Sequence, residues 1–204
     1  MPAFTRARPR FRLEVGSGFL LLLALIWFFD DGGFLPPLAA AICAHELGHI
    51  AALYAFGTRP TRLRASLSGF ALDYAGELSD MQLALTALAG PAAGAGFAAL
   101  CTLLGARTGG SFWLSCAGIG IVLTVFNLLP AAPLDGGICA NFAFNRLLGA
   151  HYAQVLMRIL TGAIIALLFV SGTLCLNEGD GPALFFAGVW LFALSRSNRL
   201  LSQP

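Results

Sequence analysis

Two histidines and a glutamate stand together in the middle of an apolar stretch, in the sequence His45-Glu46-Leu47-Gly48-His49. In a helix of 3.6 residues per turn, positions four apart lie on one face, so His45 and His49 can bind one tetrahedral metal ion such as Zn²⁺. Glu46 lies about 100° further round the helix, where its carboxylate can act as general base toward a water at the metal. The alternative is that both histidines hydrogen-bond to neighbouring helices without a metal. Polar side chains in lipid are costly and are usually functional, which favours the metal site.

A catalytic zinc site normally has three protein ligands and a water, so the two histidines leave one ligand to be found. Three candidates are weak. His151 stands beside a tyrosine at a predicted membrane boundary, and Asp73 and Glu77 lie in a polar stretch. The better candidate is Asp135, near the end of the segment NLLPAAPLDGG, which starts at Asn127 and interrupts an apolar run.

The segment NLLPAAPLDGG contains two prolines and two glycines, which break helical hydrogen bonding. Irregular backbone at membrane depth is tolerated only where it faces protein or a water-filled cavity, so we expect this segment to line a cavity. Asp135 would then supply an oxygen ligand and Asn127 a neutral hydrogen-bonding group. Considered alone, the sequence Pro-Leu-Asp-Gly-Gly also fits a simple turn at a helix end.

The composition is that of a protein surrounded by lipid. Hydrophobic residues make up 58% of the 204 residues and charged residues 11%, whereas soluble domains have about 25% charged residues. The net charge is +2 and none of the twelve basic residues is a lysine, which argues against nucleic acid as a partner. The five cysteines have no CxxC spacing, and we expect them to pack as small apolar residues without disulfides.

Six apolar segments are candidates for membrane-spanning helices, since a crossing helix needs about 20 residues. They cover approximately residues 15–29, 35–56, 81–106, 112–129, 152–176 and 182–194. The predicted fold class is therefore an all-α polytopic membrane protein with about six transmembrane helices. Between the second and third helices, residues 58–80 are polar, and apolar Leu63, Ala65 and Leu67 alternate with polar residues. This pattern favours a small β-hairpin, and a solvated loop is the alternative.

Arginines indicate the orientation, because short cytoplasmic loops are enriched in positive charge. They precede the first segment and follow the second, fourth and sixth, as Arg6, Arg8, Arg10, Arg12, Arg59, Arg62, Arg64, Arg146, Arg196 and Arg199. The opposite connections hold Asp30, Asp31, Glu178, Asp180 and the single Arg107. We therefore expect the hairpin and both termini in the cytoplasm, and an uncleaved anchor after the N-terminal arginines.

HELGH in one apolar segment, followed about eighty residues later by NLLPAAPLDGG, resembles the site-2 protease family of intramembrane zinc metalloproteases. The resemblance implies a bundle of about six membrane helices and one zinc ion held by His45, His49 and Asp135. It also implies that Glu46 is the base and that Asn127 lies near the scissile carbonyl. Ala-Gly-Pro at residues 89–91 is similar to the third core helix of the family, where small residues allow close helix packing.

The resemblance covers residues 35–150 and is closest to the minimal stage IV sporulation protein FB-like branch, without a CBS or PDZ domain. It implies a single metalloprotease domain over residues 1–204. The implied function is hydrolysis of membrane-anchored proteins, such as a tethered transcription regulator or sigma factor, within the lipid bilayer of a bacterial cell. An extended substrate could pair with the hairpin edge. The alternative is a catalytically silent membrane scaffold or metal-binding transporter of the same fold, in which Glu46 would have no role.

Overall fold

The computed structural model describes residues 11–30, 32–66, 69–178 and 183–201. These residues form three strands and seven helices. In chain order they are β1 (Arg12–Val15), α1 (Ser17–Phe29), α2 (Leu35–Ala55), β2 (Arg59–Ser66), β3 (Gly69–Ala75), α3 (Asp80–Thr108), α4 (Ser111–Asn127), α5 (Asp135–Leu148), α6 (Ala150–Glu178) and α7 (Ala183–Leu201). Several residues used in the predictions lie outside the described residues, namely Arg6, Arg8, Arg10, Asp31, Leu67 and Asp180.

The six predicted apolar segments all form helices, and their bounds lie within a few residues of the prediction up to the end of α6. Among the described residues, α2, α3 and α6 are long and apolar enough to cross a bilayer, as in an integral membrane protein. Helices α1, α4 and α7 are apolar but shorter, so six crossings stay a prediction. The prediction was wrong in two places. Val15 belongs to β1 and not to the first helix, and a further helix, α5, follows the proline-containing segment.

The predicted hairpin is part of a three-stranded sheet with the order β1-β2-β3. Strands β2 and β3 are antiparallel, as the predicted hairpin requires. The structure sets their register, with Leu63 opposite Leu72. Strand β1 pairs with the other edge of β2 and runs parallel to it, with Arg12 opposite Arg62. Strand β1 was not predicted, because four residues show little periodicity and because this pairing joins residues about fifty positions apart.

Helices α2, α3 and α4 pack against one another, while α5 packs on α3, α6 on α5 and α7 on α6. Small residues let the central helices approach closely. A Cβ at Gly48 of α2 would lie 2.7 Å from the Cβ of Ala93 in α3, and one at Gly120 of α4 would lie 3.1 Å from the Cβ of Ala98. Between helices in lipid, such packing replaces the hydrophobic effect as the source of stability. It also brings α3 against the part of α2 that carries the histidines.

Candidate metal centre

The two histidines of α2 face one place inside the bundle. Their rings are one helical turn apart, and Nε2 of His45 lies 3.1 Å from Nε2 of His49. His45 is only 4% exposed, so the surrounding helices shield it. The spacing in the sequence predicts this arrangement, because positions i and i+4 stack on one helical face.

Asp135 forms a three-residue cluster with these histidines. Its Oδ2 lies 3.1 Å from Nε2 of His45 and 3.4 Å from Nε2 of His49. Within the part of the chain that the structure describes, this is the one group of three His, Cys, Asp or Glu side chains close enough to hold a metal ion. The fold thus brings together the three residues that the sequence analysis named as ligands.

The other candidate ligands lie elsewhere. Asp73 is in β3, where its Oδ1 accepts a hydrogen bond from Nη2 of Arg64 at 3.1 Å. Glu77 is exposed in the connection between β3 and α3. His151 is exposed at the start of α6, where its ring contacts that of Tyr152.

The segment between α4 and α5 carries Asp135 to the cluster. Residues 128–134 are not helical, and α5 begins at Asp135 itself. A Cβ at Gly136 would overlap the backbone of this segment, so glycine is required for the close approach. The backbone N–H of Ala132 donates to Oγ1 of Thr161 in α6 at 3.1 Å, which anchors the segment on its other side. The predicted interruption of the helix is therefore present, and Pro133 and Leu134 of this segment line a cavity.

Helix α3 orients His49 from the opposite side. Nδ1 of His49 donates to the backbone carbonyl of Thr86 at 2.8 Å. In a neutral ring this assigns the proton to Nδ1 and leaves the lone pair of Nε2 directed toward Asp135. Gly90, one turn along α3, gives the ring its space, because an added Cβ would overlap Nε2 and Cε1 and lie 2.8 Å from Cδ2. Neither contact was predicted from the sequence, in which Ala-Gly-Pro was interpreted as a site of helix packing alone.

The three facing atoms fit a tetrahedral zinc ion. With bonds of about 2.0–2.2 Å, ligand atoms at tetrahedral angles are about 3.3–3.6 Å apart. The observed separations are 3.1, 3.1 and 3.4 Å, so one lies within this range and two lie slightly below it. A small outward shift of the ligand atoms would complete the site. Oδ2 of Asp135 is buried and has no donor in hydrogen-bond geometry among the described residues, despite its short distances to both rings. A carboxylate and imidazole lone pairs that converge in this way are stabilised by a cation.

A cavity of about 590 Å³ opens over the cluster and contains the other two predicted site residues. Glu46 lines the cavity beside the histidines. Asn127 lines it at the end of α4, where its Nδ2 donates to the carbonyl of Leu123 at 3.0 Å. Strand β3 forms another wall, through residues that include Phe70 and Leu72.

A bundle of apolar helices with two histidines, a carboxylate and a nearby glutamate contains the residue types that a membrane zinc metalloprotease needs as ligands and base. No family model matches the sequence. Two curated relatives, from the Erdman and H37Rv strains of Mycobacterium tuberculosis, are each named "Putative zinc metalloprotease Rip3". Each is 32% identical over 191 residues, which cover 84% of this chain and 47% of the relative. The chain therefore spans about half the length of the curated relatives it matches.

Among solved structures, the fold is similar to that of Site-2 Protease from Methanocaldococcus jannaschii, with a TM-score of 0.69. The two chains are 17% identical, and the match covers 91% of this chain and 89% of the other. At this identity the likeness concerns the fold. The sequence relatives and the fold both agree with the resemblance of the two motifs to the site-2 protease family. The stage IV sporulation protein FB-like branch stays a prediction.

Proposed function

We propose that this protein is an intramembrane zinc metalloprotease that hydrolyses peptide bonds of membrane-anchored proteins. The observation that carries the proposal is a trio of ligand atoms 3.1–3.4 Å apart, close to tetrahedral spacing, beside a cavity that Glu46 also lines. In this proposal one zinc ion per chain is held by Nε2 of His45, Nε2 of His49 and a carboxylate oxygen of Asp135.

A bound zinc ion would supply Lewis acidity, which polarises a carbonyl and lowers the pKa of a metal-bound water toward neutral pH. Glu46 takes a proton from the attacking water and returns it to the departing amine, a role that contributes about 10²–10⁴-fold in rate. One hydrogen of Asn127 Nδ2 is donated to Leu123. The second hydrogen of that amide group can donate to the oxygen of the scissile carbonyl.

The edge of β3 is the proposed place where the substrate is held. Peptide groups of a transmembrane helix are hydrogen-bonded within the helix, so a substrate must unwind locally before it is cleaved. The strand order β1-β2-β3 leaves one edge of β3 without a partner strand among the described residues, and Phe70 and Leu72 of this strand line the cavity. An extended segment that pairs with this edge would lie beside the cluster.

We further propose six crossings by α1, α2, α3, α4, α6 and α7, with both termini in the cytoplasm of a bacterial cell. The parallel pairing of β1 and β2 supports one common side for the N-terminus and the hairpin, because Arg12 lies opposite Arg62. Arginines on both strands agree with the positive charge of cytoplasmic loops. Residues 1–204 are proposed to form one domain with its core at 35–150.

The proposed substrate is a membrane-anchored protein, for example a tethered transcription regulator or sigma factor, and nucleic acid is not a partner. The second candidate is a catalytically silent scaffold or metal-binding transporter. A site that only binds a metal does not need the carboxylate of Glu46, whereas a hydrolase does. The position of Glu46 in the cavity wall therefore favours the protease.

The test is Glu46→Gln in the full chain, purified in detergent, because glutamine has nearly the same shape but cannot take the proton. We expect unchanged zinc content and at least a ~10²-fold loss of cleavage. Substrates can be found by comparing the membrane proteomes of cells that carry the wild type or the variant. Full activity of the purified variant would overturn the mechanism, and loss of zinc would show that Glu46 is a ligand.

A further inference from the structure

The ring of His45 has a buried nitrogen that the metal cluster does not use. Its Nε2 faces Asp135 and His49, but Nδ1 lies on the opposite side of the ring. Nδ1 is buried and has no hydrogen-bond partner among the described residues. The equivalent nitrogen of His49 donates to the carbonyl of Thr86. Among the described residues, Nδ1 of His49 therefore has a hydrogen-bond acceptor and Nδ1 of His45 has none.

A neutral imidazole has one nitrogen that donates and one that accepts. If Nε2 of His45 binds zinc, the proton lies on Nδ1 and requires an acceptor. Histidines that bind metals almost always donate this proton to a carboxylate, a carbonyl or a water, which fixes the ring and strengthens the ligand. An acceptor for Nδ1 of His45 should therefore be found close to the ring.

The hydroxyl of Thr124 in α4 is the nearby group that fits. Its Oγ1 is also buried and without a partner in the described part of the chain. Both atoms face Gly94 of α3, since a Cβ added there would lie 2.8 Å from Oγ1 of Thr124 and 3.8 Å from Nδ1 of His45. The missing side chain of Gly94 leaves space between a buried donor and a buried acceptor, and polar sites of this kind hold ordered water.

Other threonines in the bundle show that Thr124 is different. Threonines in membrane helices commonly donate to the carbonyl four residues earlier. Thr102 does so to Ala98 at 2.9 Å, and Thr108 does so to Leu104 at 2.8 Å. Thr124 makes no such bond, although it is only 9% exposed. Its hydroxyl is thus available to a partner outside its own helix.

We propose that Thr124 is a positioning residue for the metal centre. Nδ1 of His45 donates to a buried water beside Gly94, and this water donates to Oγ1 of Thr124. The contact keeps the proton on Nδ1 and directs the lone pair of Nε2 to the metal. The inference rests on the proposed zinc site and adds a residue from α4 that neither sequence motif contains.

The test compares zinc dissociation constants of the full chain in detergent, measured by competition with a chelator. Thr124→Val keeps the shape and removes the hydroxyl, and we expect zinc to bind about 10–100-fold more weakly. Thr124→Ser keeps the hydroxyl and should bind within about threefold of the wild type. Thr102→Val removes a hydroxyl that bonds within α3 and should not change the affinity.

The visible absorption of the cobalt-substituted protein provides a second readout, because its bands report ligand geometry. The bands should change in Thr124→Val and should match those of the wild type in Thr124→Ser. If the effect came from packing alone, restoring the hydroxyl in Thr124→Ser would not restore the bands. If Thr124→Val is unstable, Thr124→Ala gives the same comparison without a branched side chain. If the wild type binds no zinc, the proposed function is wrong and this inference falls with it. If the wild type binds zinc and both hydroxyl-free variants bind it equally well, only the role of Thr124 is wrong.

Discussion

Gly90 offers the sharpest test of the metal centre, because one methyl group in α3 should disable a histidine in α2. In Gly90→Ala, the added Cβ would overlap Nε2 and Cε1 of His49 and lie 2.8 Å from Cδ2. Carbon atoms in contact are about 3.5–4.0 Å apart, so even Cδ2 must move by about 0.7 Å or more. Zinc–ligand distances tolerate about 0.2 Å. The displacement of the ring therefore exceeds the deviation in zinc–ligand distance that the site tolerates.

We expect Gly90→Ala to bind zinc at least about tenfold more weakly and to lose about 10²-fold in cleavage, as misplacements near 1 Å do. The assay is chelator competition on the purified chain, together with cleavage of a membrane-anchored substrate. Gly96→Ala is the matched control, because it lies in the same helix and an added Cβ there meets nothing within 4 Å. Unchanged zinc affinity in Gly90→Ala would refute the geometry proposed for His49.

Two further predictions concern carboxylates. Asp135→Asn keeps the shape but removes the charged ligand, so zinc affinity should fall by more than about 100-fold. The exposed side chain of Glu77 serves as the control, and Glu77→Gln should leave the zinc affinity unchanged. If Glu77→Gln weakens zinc binding and Asp135→Asn does not, the third ligand is Glu77 and not Asp135. The N–H groups of Phe34 and Leu35 donate to Asp30 and hold the pKa of its carboxyl below the usual value. Because its native pKa lies below the unfolded one, Asp30 stabilises the fold at neutral pH and loses this effect as the pH falls through the native pKa. The melting temperatures of wild type and Asp30→Asn should differ at pH 7 and converge in acid, whereas a constant difference would contradict this role.

Much of the fold follows from local patterns. The apolar segments predict the helices to within a few residues up to the end of α6, because a helix in lipid needs an apolar sequence of sufficient length. Alternation predicts the pairing of β2 with β3, because neighbours in a hairpin are close in sequence. Strand β1 was missed because its parallel partner is distant along the chain. Helix α5 was missed because the prolines and glycines before it were interpreted only as an interruption.

The candidate metal site was also predicted in part from the sequence and decided in part by the tertiary structure. The spacing of His45 and His49 determines by itself that the two rings share one face, because helix geometry fixes positions i and i+4. The chemistry of Asp135 makes it a candidate ligand, but only the packing of α2 and α5 against α3 brings its Oδ2 within 3.4 Å of both rings. Glu77 is left exposed.

Tertiary structure alone supplies the contacts that orient the histidines. Every residue has a backbone carbonyl, so the residue type at position 86 does not indicate that its carbonyl accepts a hydrogen bond from Nδ1 of His49. The glycine at position 90 is visible in the sequence, but its contact with that ring depends on the distance and rotation between two helices. Helix periodicity is a property of neighbouring residues, whereas distance and rotation are set by packing between residues far apart in the chain. For this physical reason, the sequence identified which residues could bind zinc, and the fold decided how they are held.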